Sequence, residues 1–235
     1  MIVISQPTYL PWAGYFGLID ASSKFIFLDD VQFDRRSWQQ RNRLIINKQE
    51  GYLTIPVIKK GKNNQLLKDT LIKDNSFYKN HLKNIYFNYS KTKFFNKYFE
   101  HLESLAEPIQ SLNNLSDINI LLIKKISNLL GMNSTFIKSS DLNLSGNKSE
   151  KLINTCNLFN TKEYLSNEGA TEYLKKDINK FQINNINVYI QNFNPTSYTQ
   201  QSNKFVPYMS ILDMLFNEGN QSLDIIRSCI EIKKI

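Results

Sequence analysis

The chain has 235 residues, of which 41% are hydrophobic and 21% are charged, which is typical of a soluble globular protein. Aromatic residues make up 12% of the chain, and this content excludes an intrinsically disordered protein. No apolar run approaches the roughly 18 residues of a membrane span, and residues 1–5 lack the pattern of a signal peptide. We therefore expect a cytoplasmic protein with no membrane span.

The formal charge of +8 is concentrated in one part of the chain. Residues 24–73 carry eleven Lys or Arg against five Asp or Glu. Four of the five arginines, namely Arg35, Arg36, Arg41 and Arg43, fall within nine residues. Because guanidinium groups bind phosphates and carboxylates through two parallel hydrogen bonds, this cluster predicts an anionic partner. The cluster is local and forms no extended basic helix, which favours a nucleotide-sized ligand over nucleic acid.

The N-terminal segment is typical of a β-α-β unit. β-branched residues at 2–4 predict a strand that ends before Pro7, and Pro11 suits the start of a helix over 12–21. Residues 24–28 predict a second buried strand. Short connections of this kind predict two parallel strands joined by a right-handed crossover.

The middle of the chain is predicted to be mainly helical. Residues 52–57 and 70–72 predict a hairpin around a turn rich in Lys, Gly and Asn. Apolar residues recur at three- and four-residue spacing over 76–107 and predict helical structure throughout this segment. A further helix is predicted from Ser116, as its N-cap, to residue 130, before Gly131.

Strands and helices alternate again in the last hundred residues. The patterns predict strands at 135–137, 163–165 and 188–190, helices at 149–159, 171–174, 177–184 and 210–226, and a polar loop at 192–204. Residues 231–235 are predicted to be a frayed tail. We therefore predict one α/β domain over 1–235. It is Rossmann-like, with a mainly parallel sheet, flanking helices and a helical segment at about 75–131 inserted between its halves.

The connection after the first strand holds an unusual group of aromatic and amide residues. Gln6, Tyr9, Trp12 and Tyr15 lie there, together with two prolines. Ligands of parallel sheets bind beyond the carboxyl ends of the strands, and aromatic rings suit stacking on a flat or sugar-like ligand. These four residues are candidate binding residues. The alternative is a rigid corner in which the rings pack into the core.

Two adjacent acids, Asp29 and Asp30, follow the second strand. Their side chains point to opposite sides if the strand continues, and we expect Asp30 to face the cleft. Asp30 could accept a proton from an amine or hydroxyl group, with Gln32 as a second candidate catalytic residue and Asp29 as a binding residue. The alternative is that one acid caps a turn and the other is solvated.

The arginine cluster surrounds Trp38 and contains an asparagine. Guanidinium groups beside an indole could hold phosphates while the ring stacks on a base or a sugar. Arg35, Trp38, Arg41 and Asn42 are therefore candidate binding residues.

Several motifs of known enzyme classes are absent from the sequence. It has no glycine-rich dinucleotide loop, phosphate-binding lysine loop, serine elbow or Cys-x-x-Cys pair. His81 and His101 lie in the predicted middle helices, where packing or surface roles are favoured over base catalysis. The residues indicate no metal site and identify no cofactor.

Three stretches together resemble one known family. They are Gln-Pro-Thr-Tyr-Leu-Pro-Trp-Ala-Gly-Tyr-Phe at 6–16, Phe-Leu-Asp-Asp-Val-Gln-Phe at 27–33, and the Arg, Trp, Arg and Asn residues at 35–42. Later stretches agree, at 115–119, 163–166 and 205–219. The chain resembles the WbqC-like family over nearly its whole length.

The resemblance implies a part in the synthesis of bacterial surface-glycan precursors of the O-antigen type. It implies transfer of an acyl or aminoacyl group to a nucleotide-linked amino sugar, and adds Ser166, Tyr198 and Gln200 to the candidate site. Where family members resemble His-Pro-x-Tyr-x-Gln, this chain has Asn194-Pro195 before Tyr198 and lacks the histidine. If that histidine is the family's base, Asp30 takes its place here or the activity differs.

Our first hypothesis is a cytoplasmic transferase that acts on a nucleotide-linked sugar. Arg35 and Arg41 would bind the diphosphate, Trp12 and Trp38 would stack, and Asp30 would deprotonate the acceptor amine. Gln32 or Asn42 would stabilise an oxyanion, and Tyr198 is a further candidate catalytic residue. The partner is a nucleotide-sugar or another anionic small molecule, with an acyl-carrier protein as a second candidate. The alternatives are a nucleotidyltransferase-like enzyme and a non-catalytic protein that binds a carrier or another partner.

Overall fold

A six-stranded sheet forms the centre of the computed structural model, which describes residues 1–59, 61 and 64–235. Its strands are β1 (Ile2–Ser5), β2 (Lys24–Phe27), β5 (Thr135–Lys138), β6 (Glu163–Asn167), β7 (Asn187–Phe193) and β8 (Ile230–Lys234). Strands β3 (Arg41–Ile46) and β4 (Gln49–Thr54) form a separate antiparallel pair. The prediction of a mainly parallel sheet with flanking helices is confirmed.

The order of the strands across the large sheet is β5-β2-β1-β6-β7-β8. All neighbours are parallel except β7 and β8, which are antiparallel. From β1 the chain first builds the sheet towards β2 and β5, and then crosses back to add β6 and β7 on the other side. The order of the strands therefore reverses between β1 and β6.

Helices cover both faces of this sheet. They are α1 (Ala13–Asp20), α6 (Ser149–Leu158), α7 (Thr171–Lys176), α8 (Ile178–Ile183), α9 (Ile211–Glu218) and α10 (Ser222–Ser228). Alternate residues of β1 face opposite sides, so Val3 packs with α1, α9 and α10 while Ile2 and Ile4 pack with α6, α7 and α8. The result is a three-layer arrangement of helices, sheet and helices.

The segment between β2 and β5 contains the small hairpin and four helices. These are α2 (Ser76–Tyr89), α3 (Phe95–Glu103), α4 (Ala106–Gln110) and α5 (Leu115–Leu129). Residues 76–107 are therefore mostly helical, as predicted, but the helical structure is interrupted. It breaks after Tyr89 because the chain turns there, and the amide of Phe94 donates instead to the carbonyl of Phe216 on α9. The division into one domain with an insertion at about 75–131 stays a prediction.

The predicted hairpin is also displaced along the chain. Its observed strands are β3 and β4, which turn at Asn47 and Lys48, and both turn residues have positive φ. Residues 52–54 of the first predicted strand belong to β4. The two predicted strands, 52–57 and 70–72, pair with each other at an isolated bridge between Val57 and Ile72. Part of the predicted turn between them, at Lys60, Lys62 and Asn63, lies outside the described residues.

The predicted frayed tail is wrong, because those residues form most of β8. Ile230 and Ile232 alternate with charged residues, which is a strand pattern. Five residue pairs join β8 to β7, from Phe193–Ile230 to Tyr189–Lys234. Within the described residues, the helices are too short or too polar for a membrane span.

Candidate functional site

The ladder between β1 and β6 is short, and a cavity begins where it stops. Only Ile2–Tyr164 and Val3–Leu165 are paired there, whereas β1 stays paired with β2 up to Ser5. Beyond Val3 the two halves of the sheet separate at the carboxyl ends of their strands. A cavity of about 320 Å³ lies at this point, lined by residues that include Ser5 of β1 and Ser166 of β6. Reversal points of this kind are where parallel sheets bind ligands.

Five of the predicted binding residues line this cavity. They are Gln6, Trp12, Tyr15, Trp38 and Ser166. They come from the corner after β1, the loop before β3 and the end of β6. The structure therefore brings together parts of three separate sequence segments.

An amide pair holds the two loops of the cavity wall together. The Nε2 atom of Gln39 donates to the Oε1 atom of Gln6 at 2.7 Å. The Oε1 atom of buried Gln39 accepts from the amide of Asp34 at 2.9 Å. Within the described part of the chain, no acceptor is bonded to the Nε2 atom of Gln6, which is exposed. That amide nitrogen can donate to a ligand.

Both tryptophans of the chain line the cavity. The Trp12 ring makes edge contacts with Phe193, at 5.0 Å between centroids, and with Tyr208, at 5.5 Å. The Trp38 ring is 46% exposed and stacks on Tyr52 at 6.4 Å. One indole is thus fixed by packing and the other presents exposed surface.

Arg41 and Arg43 of the predicted arginine cluster lie over the stacked rings of Tyr52 and Trp38 but do not line the cavity. The Arg41 guanidinium lies over the Tyr52 ring at 4.8 Å, and that of Arg43 lies over Trp38 at 5.4 Å. Arg43 also forms a salt bridge of 3.1 Å with Glu50. Among the described residues, no carboxylate pairs with Arg41. Arg41, over the ring that stacks on Trp38, therefore differs from Arg43 in having no salt bridge among the described residues.

Arg35 and Gln32 lie away from the cavity wall. The Nη2 atom of exposed Arg35 lies 3.4 Å from the carbonyl of Lys59. Gln32 is exposed, and its Nε2 atom donates to Asn64 at 3.0 Å. Neither contact brings these side chains to the aromatic corner.

Asn42 and Tyr9 support the corner from beneath. The Nδ2 atom of buried Asn42 donates to the carbonyls of Tyr9 and Leu10, at 3.1 and 2.8 Å. Leu10 has a φ of 42°, a conformation that is uncommon for a bulky residue. The Tyr9 hydroxyl is buried and lies 2.8 Å from the Nδ1 atom of His81. These contacts fix the backbone of the corner and leave neither side chain on the cavity wall.

The two acids have different surroundings. Asp29 is buried and accepts hydrogen bonds from the backbone and hydroxyl of Ser140, at 3.0 and 2.8 Å. Asp30 forms a salt bridge with Lys151 and accepts from the Ser139 hydroxyl at 2.5 Å. Burial raises the pKa of Asp30, but the hydrogen bonds from Lys151 and Ser139 outweigh it and hold the pKa below its usual value. A low pKa makes Asp30 a weak base and a suitable counter-ion.

Lys151 leads to a second recess beside the first cavity. This recess has a volume of about 390 Å³ and is lined by Leu28, Val31, Lys148, Lys151, Leu152 and Tyr173. Three of these residues, Leu28, Leu152 and Tyr173, also line the first cavity. The two spaces are therefore adjacent and share one wall. Neither the two lysines nor Tyr173 could be singled out from the sequence, because Lys148 lies in the turn before α6, Lys151 and Tyr173 lie on helices, and none of them belongs to a distinguishing motif.

Comparison with known proteins agrees with the resemblance to the WbqC-like family over nearly the whole chain. A model of the WbqC-like protein family matches residues 6–225. The chain belongs to the WbqC-like family. It is also 34% identical to the uncharacterized protein Rv1507c of Mycobacterium tuberculosis over 229 residues, which cover 97% of this chain and 98% of the relative. No solved structure matches the chain.

The WbqC-like stretch around Tyr198 and Gln200 lies in a buried polar network. The Tyr198 hydroxyl donates to the Asp213 carboxylate at 2.7 Å, as does the Nε2 atom of Gln200. The Tyr89 hydroxyl donates to the other oxygen of Asp213, also at 2.7 Å. Burial raises the pKa of Asp213 despite these bonds. The network joins the 195–209 loop to α9 and α2, and neither Tyr198 nor Gln200 lines the cavity between β1 and β6.

The WbqC-like motifs thus have two kinds of role in the structure. Gln6, Trp12, Tyr15, Trp38 and Ser166 form a cavity wall. Others, among them Asn42 and Asp213, fix the loops that carry that wall. A sequence motif alone does not separate these roles, since both require a particular residue type.

Proposed function

We propose that this WbqC-like chain is a cytoplasmic transferase of bacterial surface-glycan precursor synthesis. It places an acyl or aminoacyl group on a nucleotide-linked amino sugar. The observation that carries this proposal is the cavity at the β1–β6 reversal, whose wall combines two indoles with amide and hydroxyl groups. Sugars suit such a wall, because their C–H faces pack on aromatic rings while their hydroxyls need hydrogen-bond partners.

The strand order supports a Rossmann-like classification of the sheet. Counted along the large sheet alone, the order is 3-2-1-4-5-6, which is the order of sheets that bind dinucleotides. The last strand departs from that pattern because it is antiparallel. A nucleotide moiety at the reversal point is consistent with this arrangement.

The side chains around the cavity suggest how the acceptor is held. Trp38 offers its exposed face to the sugar or base, and Gln6 and Ser166 offer polar atoms at the ends of β1 and β6. Arg41, over the Tyr52 ring that stacks on Trp38, is the cation we assign to the phosphates. We give Arg35 no direct contact with the ligand, since its guanidinium lies at Lys59.

Asp30 is better suited to hold Lys151 than to remove a proton. Its carboxylate is paired with Lys151 and Ser139, and its pKa lies below the usual value. Gln32 and Asn42 are engaged elsewhere, with Asn64 and with the Tyr9–Leu10 backbone. Groups that line the two cavities, such as Gln6, Lys148 and Lys151, are therefore better placed to stabilise the negative charge of a tetrahedral transition state.

Intrinsic fluorescence tests this proposal directly. Both tryptophans line the cavity, so a ligand that enters it should change their emission. We expect saturable changes with nucleoside-diphosphate amino sugars, and weaker changes with the sugars alone. Arg41→Ala should weaken binding of the nucleotide-sugars roughly tenfold, which corresponds to one lost charge-assisted contact of about 1.4 kcal/mol.

Lys124→Ala is the matched control, since Lys124 is an exposed residue of α5 that does not line either cavity. Its affinity should equal that of the unmodified protein. The proposal is contradicted if a panel of nucleotide-sugars causes no saturable change. Binding without any acyl transfer to the sugar would instead favour a non-catalytic binding protein.

A further inference from the structure

The recess beside the first cavity combines apolar walls with positive charge. Leu28, Val31 and Leu152 supply aliphatic surface, and Tyr173 adds an aromatic ring. Lys148 and Lys151 also line the recess. Its volume of about 390 Å³ lies at the low end of the range for small-molecule sites, about 300–1,000 Å³.

The two lysines differ in their salt bridges. Lys151 is held by Asp30 in a salt bridge whose side chains are 12% and 16% exposed. Lys148 is exposed and forms no salt bridge within the described ranges. Its charge helps to lower the pKa of the Asp177 carboxyl, but that carboxylate is salt-bridged to Lys180 and does not line the recess. The recess therefore retains a positive charge that its own acids do not neutralise. An anion at this point would gain a charge-assisted contact.

We propose that this recess binds a short aliphatic group attached to an anionic head, with Lys148 and Lys151 on the head. The aliphatic group lies against Leu28, Val31 and Leu152. The inference rests on the proposed transferase function for its chemical meaning: the ligand is the acyl donor, activated as an acyl phosphate. In an acyl phosphate the charged phosphate is next to the carbonyl carbon, so the charge and the aliphatic group fit within the same small recess.

This assignment selects an acyl group over an aminoacyl group. An aminoacyl donor carries an ammonium group near its carbonyl carbon, which would be repelled by the lysine charges. It also disfavours a thioester on a long carrier, whose phosphates lie far from the acyl group. The shared wall of Leu28, Leu152 and Tyr173 brings the donor's carbonyl beside the cavity that holds the acceptor.

The transfer step needs no strong base from the protein. The acceptor amine attacks the carbonyl carbon and forms a C–N bond. The bond between the carbonyl carbon and the oxygen that bridges to phosphorus breaks. The phosphate leaves with the electron pair and takes the proton that the amine loses. The products are an amide and hydrogen phosphate, and the weak basicity of Asp30 is no obstacle.

Calorimetry with stable analogues tests the recess. The probes are methyl, butyl and hexyl phosphate, which differ in alkyl length. Butyrate and butylammonium are further probes, in which a carboxylate or an ammonium group replaces the phosphate. We expect butyl phosphate to bind roughly tenfold or more tightly than methyl phosphate, because each buried CH₂ contributes about 0.8 kcal/mol. Butylammonium should not bind. Butyrate binding as tightly as butyl phosphate would overturn the acyl-phosphate assignment.

Two variants test the contacts of the aliphatic group and those of the phosphate head separately. Val31→Phe fills the recess from a residue that does not line the first cavity, so it should remove the gain from methyl to butyl phosphate. Lys148→Ala should weaken all the phosphates about fivefold or more, while Lys148→Arg retains their affinity. Lys124→Ala is again the control. Chain-length dependence that survives Val31→Phe would overturn the proposal.

The fluorescence titration separates this inference from the proposed function. If nucleotide-sugars bind but alkyl phosphates show no dependence on chain length, the recess assignment fails and the transferase proposal stands. If the alkyl phosphates behave as expected and no nucleotide-sugar binds, the recess is a ligand site and the transferase proposal fails. Val31→Phe should leave the nucleotide-sugar titration unchanged in the first cavity.

Discussion

His81 shows how a buried side chain links the corner of the site to pH. Its Nδ1 atom lies 2.8 Å from the Tyr9 hydroxyl, and the residue is 8% exposed. Burial lowers the pKa of His81 to about 4, although a hydrogen bond with the backbone of Thr54 acts in the opposite direction. The neutral ring is therefore the form that the fold requires, and it supports Tyr9 without acting as a base at neutral pH.

We predict that acidification destabilises the protein through His81. The unfolded chain has the ordinary histidine pKa of 6.5 and binds more protons than the folded chain between that value and about 4. Stability is therefore retained above pH 6.5 and falls as the pH is lowered below it. Between pH 7 and pH 5 the loss in the free energy of unfolding should be about 2 kcal/mol, measured by urea denaturation.

His81→Gln should flatten this pH dependence, since glutamine can still accept from Tyr9 but does not titrate. His101→Gln is the matched control and should keep the slope of the unmodified protein. An equally steep fall in the His81→Gln variant would show that other groups cause it.

At the scale of single elements, the first turn of α1 shapes the cavity wall. Gly14 lies under the Trp12 ring, and a Cβ atom added there would come within 2.2 Å of the Cη2 atom of the indole. A close approach of this kind forces the ring to move, because such contacts do not occur in proteins. The glycine therefore allows Trp12 to lie where it lines the cavity.

We predict that Gly14→Ala changes the environment of Trp12 and weakens ligand binding. The emission spectrum should shift without ligand, and the affinity for nucleotide-sugars should fall. The free energy of unfolding should fall by about 1–3 kcal/mol, as for other overpacked sites. Gly169→Ala is the control, since its Cβ atom would meet only Asn167, at an ordinary 3.4 Å. Equal spectra for the two variants would contradict this role of Gly14.

The sequence predicted elements best where local pattern and packing agree. The β-α-β start, the helix near 115–129 and the parallel strands follow from apolar periodicity and from capping residues such as Gly131. The break after Tyr89 could not be predicted, because it depends on a backbone bond to Phe216, far along the chain. β8 was missed since three of its five side chains are charged and exposed.

The candidate site divides in the same way. Gln6, Trp12 and Trp38 could be recognised because aromatic and amide residues are unusual in loops at strand ends. Lys148 and Lys151 could not, since an isolated lysine in a turn or on a helix usually means a solvated surface. Their significance appears only when β2, α6 and α7 come together around the recess.

At the scale of the whole molecule, β8 closes one edge of the sheet. It pairs with β7 over five residues, and the Ile230 side chain packs on Gly17 of α1. A Cβ atom at Gly17 would come within 2.3 Å of the Ile230 side chain, so the helix and the strand are in close contact. The last strand therefore joins the end of the chain to its beginning.

Ending the chain after Cys229 should destabilise the protein. The variant loses the β7–β8 hydrogen bonds and exposes the edge of β7, which invites association with other chains. We expect the free energy of unfolding to fall by roughly 2 kcal/mol or more, and Tm by about 4–8 °C, measured by calorimetry. Ile230→Ala in the full chain keeps the ladder and should cost less. Equal Tm values for the truncated and full chains would contradict a structural role for β8.

The short ladder between β1 and β6 has a consequence for how the molecule responds to occupancy. The two halves of the sheet are joined there by only two residue pairs, at Ile2–Tyr164 and Val3–Leu165. A molecule that contacts Gln6 and Ser166 bridges this gap, and its binding energy adds to the few contacts that hold the seam. Local opening of the sheet would then be rarest in the loaded protein, because the ligand itself fastens the two halves of the sheet to each other.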